Sequence, residues 1–329
     1  MDFSELMSLA TGHAQARIVQ TAVELNVFEA LSPAALTARE VALRLNLDPA
    51  ACALLLDALS ALGLLTKEAA RFSLTDATRR FLTRSSPRYV GDMLRFESSL
   101  WACWEKLPQA IHSGNPARQP DMYQAEPAET ETFIAAMDSL VKARGDAEVI
   151  ARILDWDDVR ELLDLGSGPA TYPIALCRAF PALRATVFDL PATLTITRRF
   201  VADAGMENRI RLIAGDYRTD PVPGRYQRIF LSNIVHGEND ERNRALIRKL
   251  ADNLEPGGRM IVKDHILDES RTAPAVGAVF SLLMLLTTDG GRCYTLGEVR
   301  AWMEYAGLSD VRQIDLPTPL TSALVIGTK

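Results

Sequence analysis

The sequence predicts an α/β protein, with a parallel sheet in its C-terminal half and a mostly helical region before it. Three observations carry that expectation. From Leu162 onward, short β-branched segments alternate with helical ones, the order that builds a parallel sheet. A glycine turn, Gly166-Ser-Gly168, stands where the first of these strands runs into a helix, a place where open α/β sheets bind ligands. Before about residue 155 the pattern is helical, with few β-branched runs. The boundary is therefore expected there, giving one domain over 1–155 and another over 156–329. Two domains also suit 329 residues at roughly 100–200 residues each.

Composition narrows the class. Hydrophobic residues are 48% and charged residues 24%, which excludes intrinsic disorder. The formal net charge of −6 excludes a generally basic nucleic-acid binder. The longest apolar run, around Val279–Leu286, is interrupted by Ser281 and too short to span a bilayer. The start, MDFSELMSLA, carries acids and no basic segment, so a signal peptide is not expected. Cys52, Cys103, Cys177 and Cys293 are far apart and form no CxxC. That argues against a zinc cluster or disulfide scaffold, and for a reducing cytoplasm. Imidazole chemistry must come from His13, His112, His236 or His265.

The N-terminal elements follow from caps and spacing. Helices are expected over Phe3–Leu9 and Ala14–Leu25; Ile18, Val19, Ala22, Val23 and Leu25 form a stripe in the second. Thr37 and Glu40 make a capping box that opens a helix through Leu45. Asp48 and Pro49 start another, by N-cap and N1 proline, and Gly63 stops it after Leu62. Leu64–Thr66 and Phe72–Thr75 then read as short strands about a turn. Helix, turn, helix and hairpin is a winged-helix arrangement. Its recognition helix would be PAACALLLDALSAL, which has no Arg, Lys, Asn or Gln for phosphates or base edges. The helix reads as buried on nearly all sides, and a dimerisation platform is the expected use. Met93, Phe96, Leu100, Trp101 and Trp104 then recur near helical spacing. They suit core packing or one wall of an apolar substrate pocket, for which Met93 and Trp101 are candidates. Gly114–Pro120 reads as a loop, and a helix opens near Thr130.

In the C-terminal half, Glu161–Leu165 is the first strand and runs into the glycine turn; Tyr172–Phe180 is helical. Glycines there admit a ligand close to the backbone, and the helix N-terminus offers N–H donors. A dinucleotide site would favour GxGxxG, but Thr171 takes the third position and Pro169 removes an N–H. The second strand, Ala185–Asp189, ends in an acid able to accept both ribose hydroxyls. The third, Ile210–Ala214, leads to Asp216 and Tyr217, where a carboxylate can accept from an adenine amine. The fourth, Arg228–Leu231, leads to Ser232 and Asn233, and the fifth, Arg259–Lys263, leads to Asp264. A helix of about Glu241–Leu254 lies between those two, and a final hairpin pairs Val311–Asp315 with Ser322–Thr328.

The ordered pieces LLDLGSGPAT, TVFDLP, IAGDYRTD, FLSNIVH and LEPGGRMIVKD resemble the class I S-adenosylmethionine-dependent methyltransferases. More narrowly, with AVELNVFEAL and the winged-helix stretch, the chain resembles the small-molecule O-methyltransferases that carry an N-terminal winged-helix dimerisation domain. The resemblance implies a Rossmann-like seven-stranded methyltransferase sheet, S-adenosylmethionine as cofactor and a homodimer. It also implies a small-molecule acceptor with an aromatic or polyketide-like hydroxyl. By position, Gly166 and Gly168 would pass the cofactor's methionine moiety, and Asp164 would support the loop or the amino group. Asp189 would hold the ribose with Leu190 beside the adenine, and Asp216 and Tyr217 would frame the adenine. Ser232 and Asn233 would lie near the methyl donor.

The chemistry turns on one histidine. A phenol is a poor nucleophile until its proton leaves, and an imidazole suits that task at neutral pH. His236 follows the fourth strand where the family often has His-Asp-Trp; here the sequence is His236-Gly237-Glu238. Asp264 matches the first of two acids that orient the base in plant members, whereas Cys293 falls at the second. Strand alternation would turn His265 away from a pocket that Asp264 faces, unless the strand has already ended there, and no metal site is expected. Val276–Thr288 reads as an apolar helix; the resemblance makes it acceptor-lining, with Phe280 and Met284 as candidates. Transfer to nitrogen, sulfur or carbon, or a non-methylating relative working by proximity alone, remains open.

Overall fold

The computed structural model describes residues 1–329. Its first elements are α1 (Phe3–Glu24), α2 (Val27–Leu31), β1 (Leu36–Thr37), α3 (Ala38–Leu45) and α4 (Pro49–Ala61). They continue with β2 (Leu65–Glu68), β3 (Arg71–Leu74), α5 (Asp76–Leu82) and α6 (Gly91–Ser99). The two helices expected near the start are one. Asp2 and Glu5 form a capping box at its head, and Gly12 lies inside it with nothing near its missing side chain. An interior glycine costs a helix only about 1 kcal/mol, too little to break it. Both further N-caps act as read: Thr37 accepts from the Glu40 N–H and Asp48 from that of Ala51. The strands form a three-stranded antiparallel sheet in the order β1-β3-β2.

The expectation that α4 is buried on nearly all sides is corrected. Cys52, Leu56 and Leu59 are buried beside Val27, Phe28 and Phe72, but Leu54 is 74% exposed. On α1, Phe3, Leu6, Met7 and Leu9 are exposed as well. A short helix with one buried stripe needs no apolar residue on its other face, so these side chains call for another explanation.

Then come α7 (Trp101–Trp104), α8 (Leu107–Ser113), α9 (Pro127–Arg144) and α10 (Asp146–Ile153). The sheet region comprises β4 (Glu161–Leu165), α11 (Thr171–Ala179), β5 (Arg184–Asp189), α12 (Pro191–Asp203), β6 (Ile210–Ala214) and β7 (Tyr226–Ser232). It closes with α13 (Asp240–Asp252), β8 (Leu254–Asp264), α14 (Ala275–Thr287), α15 (Leu296–Tyr305), β9 (Ser309–Asp315) and β10 (Ala323–Thr328). Two compact units result, Met1–Trp101 and Ala102–Lys329. The division expected near residue 155 thus falls inside the second unit. The reason is packing: Val141, Ala147 and Ile150 of α9 and α10 share a core with Leu162 and Val187 of the sheet.

The seven strands run in the order β6-β5-β4-β7-β8-β10-β9, parallel except where β10 pairs antiparallel with β8 and β9. Period-two alternation splits each central strand between two cores. Leu163, Leu165, Ile229, Leu231, Met260 and Val262 face one, and Leu162, Phe230 and Ile261 the other. The strand order reverses between β4 and β7, which opens a crevice at their C-terminal ends. No helix is long and apolar enough to cross a membrane.

Candidate active site

The crevice is a cleft with about 1170 Å³ of empty space, part of it open to solvent. Asp164, Gly166, Gly168, Asp189, Leu190, Asp216, Tyr217, Ser232 and Asn233 all line it. They converge because each lies at or just past the C-terminal end of a parallel strand. Gly166 has φ +62° and Gly168 φ +59°. A Cβ on Gly166 would crowd the end of the Ile234 side chain, and with the positive φ this favours glycine at the turn. The Gly168 N–H donates to Asp189 Oδ2 at 2.8 Å, and the Leu190 N–H to Asp189 Oδ1 at 2.7 Å. Asn233, at φ +58°, donates its N–H to the Lys263 carbonyl at 2.8 Å.

Two acids here are perturbed. Asp164 is buried, and its Oδ2 accepts from Ser167 Oγ at 2.6 Å while Oδ1 has no partner. Burial raises its pKa to about 7, opposed by the Ser167 hydrogen bond and helped by the nearby Asp189 charge. Burial also raises Asp189, to about 6, against the pull of the Gly168 and Leu190 N–H groups. A buried carboxylate oxygen with no donor, at the edge of a cleft, fits an ammonium-bearing ligand.

Other lining residues were not legible from strand ends. Arg144 and Asp146 flank Gly145, whose φ of +75° separates α9 from α10. Arg144 makes no ion pair, so its guanidinium is available to a carboxylate. Asp146 Oδ2 instead meets Lys263 Nζ at 3.1 Å and the Tyr172 hydroxyl at 3.3 Å. Burial works against the Lys263 charge, but Tyr172 and Asp146 outweigh it and hold the ammonium above its ordinary value. The usable signal was Arg-Gly-Asp at a helix break, with charges on both sides of a C-terminal glycine. Phe133, Ile134 and Met137 of α9 add an apolar wall.

His236 and Asp264 do not line this cleft; they form a separate pair just past Asn233. The 3₁₀ turn Val235–Gly237 carries His236, and Asp264 ends β8. His236 Nδ1 lies 2.8 Å from Asp264 Oδ1 and 3.0 Å from Oδ2, and its main-chain N–H reaches Oδ2 at 3.3 Å. Burial alone would raise the Asp264 acid, but His236 and then His265 hold it below its ordinary value. With Nδ1–H donated to the carboxylate, Nε2 keeps its lone pair, the arrangement that makes a base.

Phe280 stands edge-on to the His236 ring, centroids 4.9 Å apart at 84°. The His265 ring also packs on Phe280, at 5.2 Å. β8 ends at Asp264, the case in which strand alternation no longer decides the side on which His265 falls. His265 Nδ1 is 2.9 Å from the Thr321 carbonyl, and burial lowers its pKa. Met284 is buried on α14. Cys293 is buried, and burial plus the Asp264 charge push its thiol up to about 12. It offers no second acid. Met93 and Trp101 belong to the first unit and do not line the cleft; the Trp101 indole N–H donates to Gln20 Oε1 at 2.6 Å. No group of three or more His, Cys, Asp or Glu side chains could hold a metal ion.

Comparison with known proteins agrees with this architecture. The O-methyltransferase domain family model matches residues 114–309, and the O-methyltransferase dimerisation domain model matches 7–84. The tetracenomycin polyketide synthesis 8-O-methyl transferase TcmO of Streptomyces glaucescens is 33% identical over 99% of this chain and 96% of its own. The 3-hydroxy-5-methyl-1-naphthoate 3-O-methyltransferase of Streptomyces sahachiroi is 31% identical over 98% and 94%. Among solved structures, PigF with S-adenosylhomocysteine superposes with a TM-score of 0.90 at 26% identity, covering 100% of both chains. A glycine turn under a parallel sheet, an orphaned buried carboxylate beside it, and family models matching both regions lead to one conclusion: the chain belongs to the S-adenosylmethionine-dependent O-methyltransferase family whose catalytic domain is joined to a dimerisation domain.

Proposed function

We propose that the chain transfers a methyl group to a hydroxyl of an aromatic or polyketide-like small molecule, with His236 as general base and Asp264 as its orienting carboxylate. One observation carries the catalytic part: the 2.8 Å contact between His236 Nδ1 and Asp264, which leaves Nε2 as the proton acceptor. The acceptor class draws on TcmO and the naphthoate enzyme, whose names specify a polyketide and a naphthoate, and on the aromatic wall that Phe280 forms beside His236.

S-adenosylmethionine supplies an already activated electrophilic methyl group, so the protein's tasks are positioning and proton removal. Asp164 Oδ1 receives the cofactor ammonium, and Arg144 its carboxylate. Asp189, fixed by two backbone N–H groups, accepts from the ribose hydroxyls. Leu190, Asp216 and Tyr217 bound the adenine, and Ser232 and Asn233 lie toward the methyl. Phe280 and Met284 form the acceptor's apolar surroundings. His236 takes the phenolic proton, and Asp264 stabilises the imidazolium that results.

The N-terminal unit, Met1–Trp101, serves as a winged-helix dimerisation platform in a cytoplasmic homodimer. The exposed Phe3, Leu6, Leu9 and Leu54 support this, because an apolar surface of that kind marks an interface. Cys293 at the second acid position favours a second reading, in which proximity does the work and the acceptor atom is nitrogen, sulfur or carbon. The test is a panel of hydroxylated naphthoates and anthraquinones, with amine and thiol analogues, incubated with S-adenosylmethionine and followed by mass spectrometry. Methyl ethers are expected. At saturating cofactor, His236→Ala and His236→Gln should lose about 10²–10⁴-fold in turnover; turnover near wild type removes His236 as base.

A further inference from the structure

We infer that Glu238 is a positioning residue that ties the wall of the cofactor cleft to the turn carrying His236. Its two ends do different things. Its main chain closes the 3₁₀ turn: the N–H donates to the Val235 carbonyl at 3.3 Å. Its carbonyl accepts from the Tyr294 hydroxyl at 2.6 Å and from Asn243 Nδ2 at 3.2 Å. These bonds fix the segment two residues after His236. The side chain points toward the cleft wall instead. Glu238 Oε1 accepts from the Tyr217 hydroxyl at 2.9 Å and from Arg218 Nε at 2.6 Å. Tyr217 and Arg218 both line the cleft, and Tyr217 Cε1 lies 3.9 Å from where a Gly166 Cβ would be.

The carboxylate is a costly choice for this link. Glu238 is 1% exposed, and Oε2 takes no hydrogen bond, the Arg242 guanidinium lying 3.6 Å from it. A buried ion pair contributes little net stability compared with apolar packing, and its best-attested use is to select one geometry. Here the selected geometry joins two sites. A ligand that settles against Tyr217 and Arg218 orders the Glu238 carboxylate, and through the same residue's main chain the His236 turn. The nucleoside end of the cleft and the proton acceptor are then set together.

This inference rests on the cofactor and base roles proposed above, but its test needs no acceptor and no turnover. The chain has four histidines, so ring-15N-histidine NMR gives a sparse spectrum in which His236→Gln identifies one signal. S-adenosylhomocysteine titrated into wild type should shift the His236 signal. Glu238→Gln keeps an acceptor for Tyr217 and removes the charge that holds Arg218. It should bind S-adenosylhomocysteine about tenfold more weakly, the loss typical of one charged hydrogen bond. At saturation its His236 shift should fall to less than about half of the wild-type shift on the same reasoning. Tyr217→Phe deletes only the hydroxyl and should weaken binding less while reducing the shift in the same direction. Wild-type affinity and shift in Glu238→Gln overturn the inference. So does weaker binding with an undiminished His236 shift, because the link to the turn would then be absent. Should Glu238→Gln fail to fold, an unchanged shift in Tyr217→Phe overturns it. Failure of His236 as base would show only in the turnover of His236→Gln, so the two failures are separable.

Discussion

S-adenosylhomocysteine binding should release protons, because the cleft holds two carboxyls whose protonated forms are favoured by burial. Burial raises Asp164 to about 7 and Asp189 to about 6. An ammonium on Asp164 and ribose hydroxyls on Asp189 both require the ionised acid. Affinity therefore follows the product of the two ionised fractions, about one twenty-second at about pH 6 and about nine-tenths at about pH 8. Binding should tighten about twentyfold across that interval, or ~1.8 kcal/mol. Near pH 7, Asp164 should release about half a proton per ligand and Asp189 about a tenth. The sign for folding is opposite to the usual carboxylate case. A raised acid binds more protons folded than unfolded, so the free protein loses stability as pH rises from the unfolded value toward the folded one. Isothermal titration at about pH 7 in two buffers of different ionisation enthalpy measures the proton count directly. Asp164→Asn should abolish most of the release and bind weakly at every pH. Equal heats in both buffers, with affinity flat from about pH 6 to about pH 8, would show that Asp164 is already ionised and refute the burial reasoning.

Further outcomes follow from the same geometry. Gly166→Ala crowds the Ile234 side chain at φ +62°, and should cost about 1–3 kcal/mol in denaturant unfolding while weakening S-adenosylhomocysteine binding. Lys263→Met strips Asp146 of its partner at 3.1 Å and should destabilise by about 3–5 kcal/mol; adding Asp146→Asn should recover part of it. Asp264 sits below its ordinary value of 3.8, so its contribution to stability is present above that value and lost as pH falls through the lowered one. The unfolding free-energy gap between wild type and Asp264→Asn should shrink steadily below about pH 4; a gap independent of pH argues against the ion pair with His236.

Legibility differed by the range of the interaction. Asp164, Asp189, Asp216 and Ser232 were readable because a strand followed by a turn announces where its last side chains emerge, and parallel strands align those ends. Thr37 and Asp48 were readable as caps because the bond closes three residues later. Arg144 and Asp146 were not: they reach the cleft only because α9 and α10 pack on the sheet, which also moved the division between units away from residue 155. The side on which His265 falls was left to where the strand ends, and a strand end cannot be placed to one residue from pattern alone. Glu238 was seen only as a departure from His-Asp-Trp, since its partners Tyr217 and Arg218 are twenty residues or more upstream.

By itself the sequence determined the fold class, the glycine turn, the acids at the strand ends and the single histidine worth testing. These depend on periodicity and local backbone chemistry, which neighbouring residues specify. Only the tertiary structure decided that Asp164 and Asp189 are buried at one cleft, that Lys263 is paired with Asp146, and that Glu238 reaches back to Tyr217. Those are consequences of burial and of contacts between distant segments, and the cost of removing a charge from water depends on all the atoms around it rather than on its neighbours in the chain.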